Sequence, residues 1–396
     1  MARLRSMGAL ALVFVVSALA QQPAAPAPAQ SRTPVPALTP RTHEEREQRY
    51  QAEHQVTLNT LVTDRSGKPV TGLRQNDFTV LDNGQPRKLD MFRAVEASKG
   101  IAPVRVILML DAVNNSPKDI ADDHKGIEAF LAQNPGQLAY PTSVGILTAA
   151  GIKVSQPSRD RDTVQAQLNL LTRTVHLFDC SDSGGSQQVF ATFNTNAGTS
   201  ISEGERPDEK ANCENQRFHQ SVAALKHFVV EQEDEQGRAI LIWIGRGWPL
   251  LLRHEFSDDS PALKQNLFDN LALISNAMRE GQVTLDAVFS PDLFRRVELR
   301  TDHDNRFFNG VPSENEMTAS GLGLQMLAHQ SGGLVLIDGK DLAAEIARCV
   351  GDAQSYYGLS FDSPPAGKPG EFHSLEVKTS DPSFTVRTNT GYYAEQ

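Results

Sequence analysis

The stretch Val104-Arg105-Val106-Ile107-Leu108-Met109-Leu110-Asp111 runs directly into Ala112-Val113-Asn114-Asn115-Ser116-Pro117. Val104–Leu110 is almost wholly apolar, as a strand covered on both faces must be. Asp111 stands at its carboxyl end, where open α/β sheets place their ligand-binding groups. Ser116-Pro117 then starts a helix with proline at its first position, where the missing N–H is no loss. Ile120, Ile127, Phe130 and Leu131 fall on the inward side of that helix. A second apolar strand, Ala239–Ile244, is the one that would bring a partner carboxylate to the same edge, yet it runs out in Gly245-Arg246-Gly247. One acid remains where a hard divalent cation requires several oxygen ligands.

Outward from this stretch the pattern alternates between strand and helix. Val144–Leu147 reads as a strand and Asp162–Leu171 as a helix with Val164, Leu168 and Leu171 on one face. Phe218, Val222, Leu225 and Val229 recur at helical spacing across Phe218–Val230. Ser260–Arg279 predicts a longer helix, Val283–Phe289 a strand, and Met317–Gln330, Leu334–Ile337 and Leu342–Val350 a helix, a strand and a helix. This is the grammar of a parallel-rich sheet with helices on both faces.

Both ends of the chain read differently. Val56, Leu58, Thr60 and Val62 alternate; Phe78, Val80 and Leu81 form a second run closed by Asp82-Asn83-Gly84; Leu89, Met91 and Phe92 give a third. An Asn-Gly pair after a strand is a strong hairpin signal. Near the other end, Tyr356–Phe361, His373–Val377, Phe384–Arg387 and Tyr392–Tyr393 form an antiparallel meander, which either extends the large sheet or joins the early β segment.

Residues 1–20 have the pattern of a secretion signal: Arg3 and Arg5, an apolar core over Met7–Val16, then Ala18-Leu19-Ala20 as the small-x-small cleavage site. The apolar core is shorter than the ~20 residues of a membrane span, and the mature chain is expected to carry no transmembrane segment. The expected location is periplasmic or secreted. An Ala/Pro/Gln-rich leader follows over residues 21–42, with a charged segment to Glu53. In an oxidising compartment Cys180 and Cys213, which flank a polar excursion over residues 179–215, are expected to pair; Cys349, on a helix with apolar spacing, reads as a buried thiol. A formal net charge of −10 gives no support to nucleic-acid binding.

Several of these segments, in this order, resemble the bacterial proteins with a von Willebrand factor A-like domain, in particular a secreted acidobacterial subgroup. Val70-Thr71-Gly72-Leu73 with Asp77-Phe78 and Asp82-Asn83-Gly84 is similar to its lead-in. Val104–Asp111 is similar to its first central strand, Ser331-Gly332-Gly333 to a late turn, and Tyr356-Tyr357, Gly370-Glu371-Phe372-His373 and Gly391-Tyr392-Tyr393-Ala394 to its terminal strands. The resemblance implies a Rossmann-like, von Willebrand factor A-type α/β sheet with flanking antiparallel β segments. The chain then divides into a signal peptide (1–20), a leader (21–53), a small β domain (54–97), the A-like domain (101–351) and a C-terminal meander (352–396). The resemblance also implies a metal-ion-dependent adhesion site opening Asp-x-Ser-x-Ser. Asp111 keeps the acid, but Val113 and Asn115 stand at the two serine positions, and the usual second aspartate falls near Gly245. Residual Mg²⁺ or Ca²⁺ binding would have to draw on Asp111, Asn115 and Ser116, so no cofactor is expected. Asp111 itself can accept backbone N–H groups or cap the helix at Ser116.

Catalytic signals are weak. Asp302-His303-Asp304 lacks metal-ligand spacing, Asp123 and His124 are expected to point away from the strand end, and no Gly-x-Ser-x-Gly elbow or complete phosphate loop occurs. Gly245-Arg246-Gly247-Trp248 has two readings: a recognition surface, or a turn with Trp248 packed beneath the following loop. The expected function is a non-catalytic protein-interaction module with a degenerate metal site, using Asp111, Asn114, Asn115, Arg246 and Trp248. The alternatives are a structural component of an envelope assembly, a cation-dependent adhesion protein, and a hydrolase.

Overall fold

The computed structural model describes residues 55–96, 104–173, 175, 178, 209–248, 261–289, 308–318, 322–337 and 341–394. The strands are β1 (Gln55–Thr63), β2 (Phe78–Asp82), β3 (Gln85–Arg87), β4 (Met91–Glu96), β5 (Val104–Asp111), β6 (Gln137–Thr148), β7 (Gly151–Val154), β8 (Ser158–Asp160), β9 (Arg238–Gly245), β10 (Val283–Phe289), β11 (Val335–Leu336), β12 (Ser355–Asp362), β13 (Glu371–Thr379), β14 (Thr385–Arg387) and β15 (Gly391–Ala394). The helices are α1 (Pro117–Ala132), α2 (Arg161–Arg173), α3 (Glu209–Gln232), α4 (Pro261–Glu280), α5 (Leu324–Gln330) and α6 (Leu342–Gly351).

The central sheet runs β11-β10-β9-β5-β6-β7, with β8 also on β6. The β11 to β6 neighbours are parallel, and β7 and β8 are antiparallel additions. Every residue of β5, β9 and β10 is buried. Because side chains alternate across a strand, β5 sends Val106, Leu108 and Leu110 to one core and Ile107 and Met109 to the other. The first of these cores takes Ile120, Ile127 and Leu131 of α1, Val164 and Leu168 of α2 and Ile346 of α6. The second takes Phe218 and Leu225 of α3, Leu267, Leu271 and Ile274 of α4 and Leu324 of α5. The architecture is a mixed α/β sheet with helices on both faces.

Order along the sheet fixes where the site lies. From β5 the chain moves to β6 on one side and later to β9, β10 and β11 on the other. The loops after β5 and β9 therefore flank the switch point, the position where open α/β sheets place their ligand-binding crevice.

Strands from both ends of the chain pair with each other. β1 and β4 flank β12, with β14 on β1; β2 and β15 flank β13, with β3 on β2. Val56, Leu58, Phe78, Val80, Leu359, Phe361 and Val377 fill the space between these two sheets. The Asp82-Asn83-Gly84 signal is the turn between β2 and β3, with Asn83 at φ 50° and Gly84 at φ 76°.

Three expectations need correction. Of the helix expected over Met317–Gln330, the described α-helix is Leu324–Gln330; Glu314–Glu316 is a single 3₁₀ turn, and Met317 is extended at φ −68°, ψ 137°. Glycine disfavours a helix interior by about 1 kcal/mol, and Gly323 caps α5 instead, while Met317 reaches the core from extended backbone. β7 and β8 were not expected; they are short, and β7 shows no buried residue that would mark it. Finally, the expected Cys180–Cys213 disulfide is not among the described features: no disulfide joins two described residues, and Cys180 lies outside them. Cys349 is a buried free thiol.

Candidate functional site at the β5–β9 crevice

Asp111, the last residue of β5, has no exposed surface. Its Oδ1 accepts the backbone N–H of Val113 at 3.1 Å and of Asn114 at 2.9 Å. Its Oδ2 accepts Asn114 Nδ2 at 2.8 Å and the indole Nε1 of Trp243 at 3.1 Å. Four N–H groups thus fill the lone-pair directions of one carboxylate, which has about four to offer. Burial pushes this carboxyl up from its ordinary value; the hydrogen bonds from Asn114, Trp243 and Val113 oppose that rise without cancelling it. With every donor an N–H, no direction is left for an O–H, and the geometry is that of a carboxylate held by the chain's own donors.

The rest of the corner is built in the same way. Asn114 Nδ2 also donates to Ser221 Oγ on α3 at 2.9 Å, tying the loop to the neighbouring helix. The Asn115 side chain donates through Nδ2 to Asp123 Oδ2 at 2.8 Å and accepts Arg246 N–H on Oδ1 at 2.8 Å. Ser116 caps α1 in a capping box with Asp119. Asp119 in turn holds Arg246, whose Nε lies 2.8 Å from Asp119 Oδ2 and whose Nη2 donates to Oδ1 at 3.2 Å.

Gly245 explains why no second carboxylate faces Asp111. A Cβ at this position would lie 2.8 Å from Asn115 Nδ2, 3.0 Å from Asn115 Oδ1 and 3.2 Å from Asp111 Cβ. The Asn115 amide fills the volume that a side chain at 245 would need. Gly245→Ala is accordingly expected to cost roughly 1–3 kcal/mol by overpacking. Adding Asn115→Ala should recover part of that loss, a positive coupling readable in a double-mutant cycle by chemical denaturation; purely additive losses would show that the two positions do not compete for space.

Burial sorts the expected site residues. Asp111, Asn114 at 8%, Asn115 at 5% and Trp248 at 4% exposure lie inside, whereas about a third of the Arg246 side chain is exposed. Trp248 packs edge-on to Trp243 and Phe218, with ring centroids at 5.7 Å and 6.4 Å. Ser116 is engaged by Asp119 rather than left open as a ligand. Asp123, expected to point away, comes back to the corner through Asn115 and is 3% exposed. His124 does turn away, to Asn169 on α2 at 3.0 Å. Asp302, His303 and Asp304 lie outside the described residues. Asp119, Ser221 and Trp243 are members of the site that the sequence did not single out. Ser116-x-x-Asp119 carried a readable capping signal for one of them.

Among the described residues, no group of three or more His, Cys, Asp and Glu side chains is arranged to hold a metal ion, and no helix is long and apolar enough to cross a membrane.

No family model and no curated protein matches the chain. Among solved structures, human COPII-coat protein Sec24c is 10% identical over 74% of this chain and 44% of its own, with a TM-score of 0.32. A von Willebrand factor type A protein from Catenulispora acidiphila is 10% identical over 86% of this chain and 74% of its own, with a TM-score of 0.29. The D319A mutant of the PilB minor pilin from Streptococcus sanguinis is 8% identical over 64% of this chain and 63% of its own, with a TM-score of 0.30. The chain thus spans less than half the length of Sec24c. These are faint likenesses to A-type and pilin structures and carry no argument about function; the fold assignment rests on the strand order given above.

Proposed function

We propose that this chain is an exported, non-catalytic protein-interaction module whose recognition loops are set by hydrogen bonds instead of a bound ion. The observation that carries this reading is the saturation of Asp111 by four N–H donors. A metal ion entering there would have to displace the Asn114 amide and the Trp243 indole, leaving buried donors without acceptors at about 1–3 kcal/mol each. In this reading the buried residues Asp111, Asn114, Asn115 and Trp248 hold the loops, and Arg246, held by Asp119 through Nε and Nη2, presents the exposed remainder of its side chain to a partner. Arginine fits such a role because a planar fork of donors binds carboxylates and stacks on aromatic rings. Export is supported by the signal pattern of residues 1–20, and membership of the acidobacterial A-like subgroup by the ordered motifs from Val70 to Ala394.

The test is recovery of a partner from the native cell envelope with the tagged full-length chain. A single protein in stoichiometric yield, equal with EDTA or with Mg²⁺ and reduced about tenfold or more by Arg246→Ala, is the expected outcome; about 1.4 kcal/mol is one such factor of ten. Recovery only when divalent metal is present would refute the proposal. So would recovery indifferent to Arg246→Ala, which would move the contact surface elsewhere.

A further inference from the structure

Two aspartates are buried in the same sheet and are held in opposite ways. Asp111 has two N–H donors on each oxygen. Asp286, in the middle of β10 and equally without exposed surface, receives one N–H, from Leu334 on Oδ1 at 2.7 Å, beside a weak hydrogen bond with the Cys349 thiol. Its Oδ2 has no N–H or O–H partner. The two nearest guanidinium groups are committed elsewhere. Arg238, at the start of β9, donates to the backbone oxygen of Asp352 at 2.8 Å and to Thr284 Oγ1 at 3.1 Å, and lies 4.9 Å from the Tyr356 ring. Arg387, on β14, donates to Asp352 Oδ1 at 2.6 Å and to the backbone oxygen of Gly332 at 3.3 Å. The Asp352 carboxylate thus ties the C-terminal strands to the α/β sheet, and its own Oδ2 is buried without a partner.

We propose that Asp286 is a proton-operated latch: protonated, it lets the C-terminal strands seat on the α/β sheet, and ionised, it sets two buried carboxylates against each other and loosens that join. A buried carboxyl with a single N–H donor and no guanidinium bonded to it favours its neutral form. The groups facing it are Asp352, the Cys349 thiol of α6, Arg238 of β9 and Arg387 of β14; one step further out, Glu345 of α6 acts on Cys349 and Tyr356 of β12 on Arg238. Burial first, and then the charge of Asp352, raise the Asp286 carboxyl to about 7; the Leu334 N–H and the two arginines oppose this. The unfolded chain gives up this proton near 3.8. The native chain therefore holds one proton more across that window. This contribution to stability is complete below the lower value, falls as pH rises and is gone above the upper one. The part released is the join itself: β14 lies on β1, and Thr388 packs on Gly332 beside it.

The experiment follows thermal unfolding of the full chain between about pH 5 and pH 8.5, in wild type and in Asp286→Asn, which keeps the shape of the neutral acid. The wild-type midpoint should fall by several degrees between about pH 5 and pH 7 and level off above that, and the Asp286→Asn midpoint should lose most of that dependence. Identical pH profiles for the two chains would overturn the latch. Should the variant fail to fold, infrared spectroscopy of the wild type decides: a buried protonated-carboxyl stretch at about pH 5.5 that disappears by about pH 8.5 supports the proposal, and no such band at about pH 5.5 overturns it.

Discussion

Gly333→Ala is expected to destabilise this protein more than any other single-methyl addition among the described glycines, by at least about 3 kcal/mol. An added Cβ would fall inside the contact radius of the Leu285 carbonyl oxygen, 2.7 Å from its carbon and 2.9 Å from Asp286 Oδ1. Nothing nearby can move out of the way. Leu285 lies in β10, paired with β9 in a fully buried register. The turn is fastened to the same strand from both sides. Leu285 N–H donates to Ser331 Oγ at 3.0 Å, Leu334 N–H to Asp286 Oδ1 at 2.7 Å and Ala287 N–H to the Leu334 oxygen at 2.8 Å. This is the physical content of Ser331-Gly332-Gly333: the serine bonds the strand, and the second glycine lets two backbones touch. Gly351→Ala supplies the control, since a Cβ there meets nothing within 4 Å. Chemical denaturation should show a near-native midpoint for the Gly351 variant and a large loss, or failure to accumulate folded protein, for Gly333→Ala. Near-native stability of Gly333→Ala would mean that the turn does not sit against β10 as described.

Asp111→Ala comes next, with an expected loss of roughly 3–5 kcal/mol, the range for removing one partner of a buried charged set. The substitution leaves the Val113 and Asn114 amides, the Asn114 side-chain amide and the Trp243 indole without their acceptor. Asp111→Asn separates charge from shape. It keeps one acceptor oxygen but turns an NH₂ toward other donors, and should cost about 2–3 kcal/mol. Both losses should be the same with EDTA or with Mg²⁺ in the buffer, because the stabilising partners are protein groups. A chelator-dependent difference would assign part of the stability to a bound ion. Wild-type stability in Asp111→Ala would remove Asp111 from the structural role given to it here.

The sequence made the sheet legible because its central strands are buried on both faces. Continuous apolar runs such as Val104–Leu110 and Ala239–Ile244 have few other uses in a folded chain. The corner was legible only at its strand end. Asp111 is visible there as a lone acid closing an apolar run, whereas Trp243 sits inside such a run and looks like any core residue. Its ring packs in the core, yet its N–H closes the shell of Asp111. Asp123 was expected to turn away, yet it reaches the corner from the second turn of α1, across eight residues from Asn115. Sequence spacing does not show which helical residues lean back over the N-terminus. Local patterning left the pairing of the terminal strands open between the large sheet and the early β segment. Asp82 collects His373 Nδ1 at 2.8 Å, Tyr392 Oη at 3.2 Å and Arg87 Nε at 3.2 Å, so three separated motifs meet on one buried carboxylate. No local periodicity encodes a contact across 310 positions.

Titration calorimetry of the purified full chain with Mg²⁺ and with Ca²⁺ tests the account most directly. The carboxylate at the crevice is already saturated, so neither ion should give a heat beyond dilution, and neither should shift the thermal midpoint. Stoichiometric uptake of either ion, lost in Asp111→Asn, would contradict it.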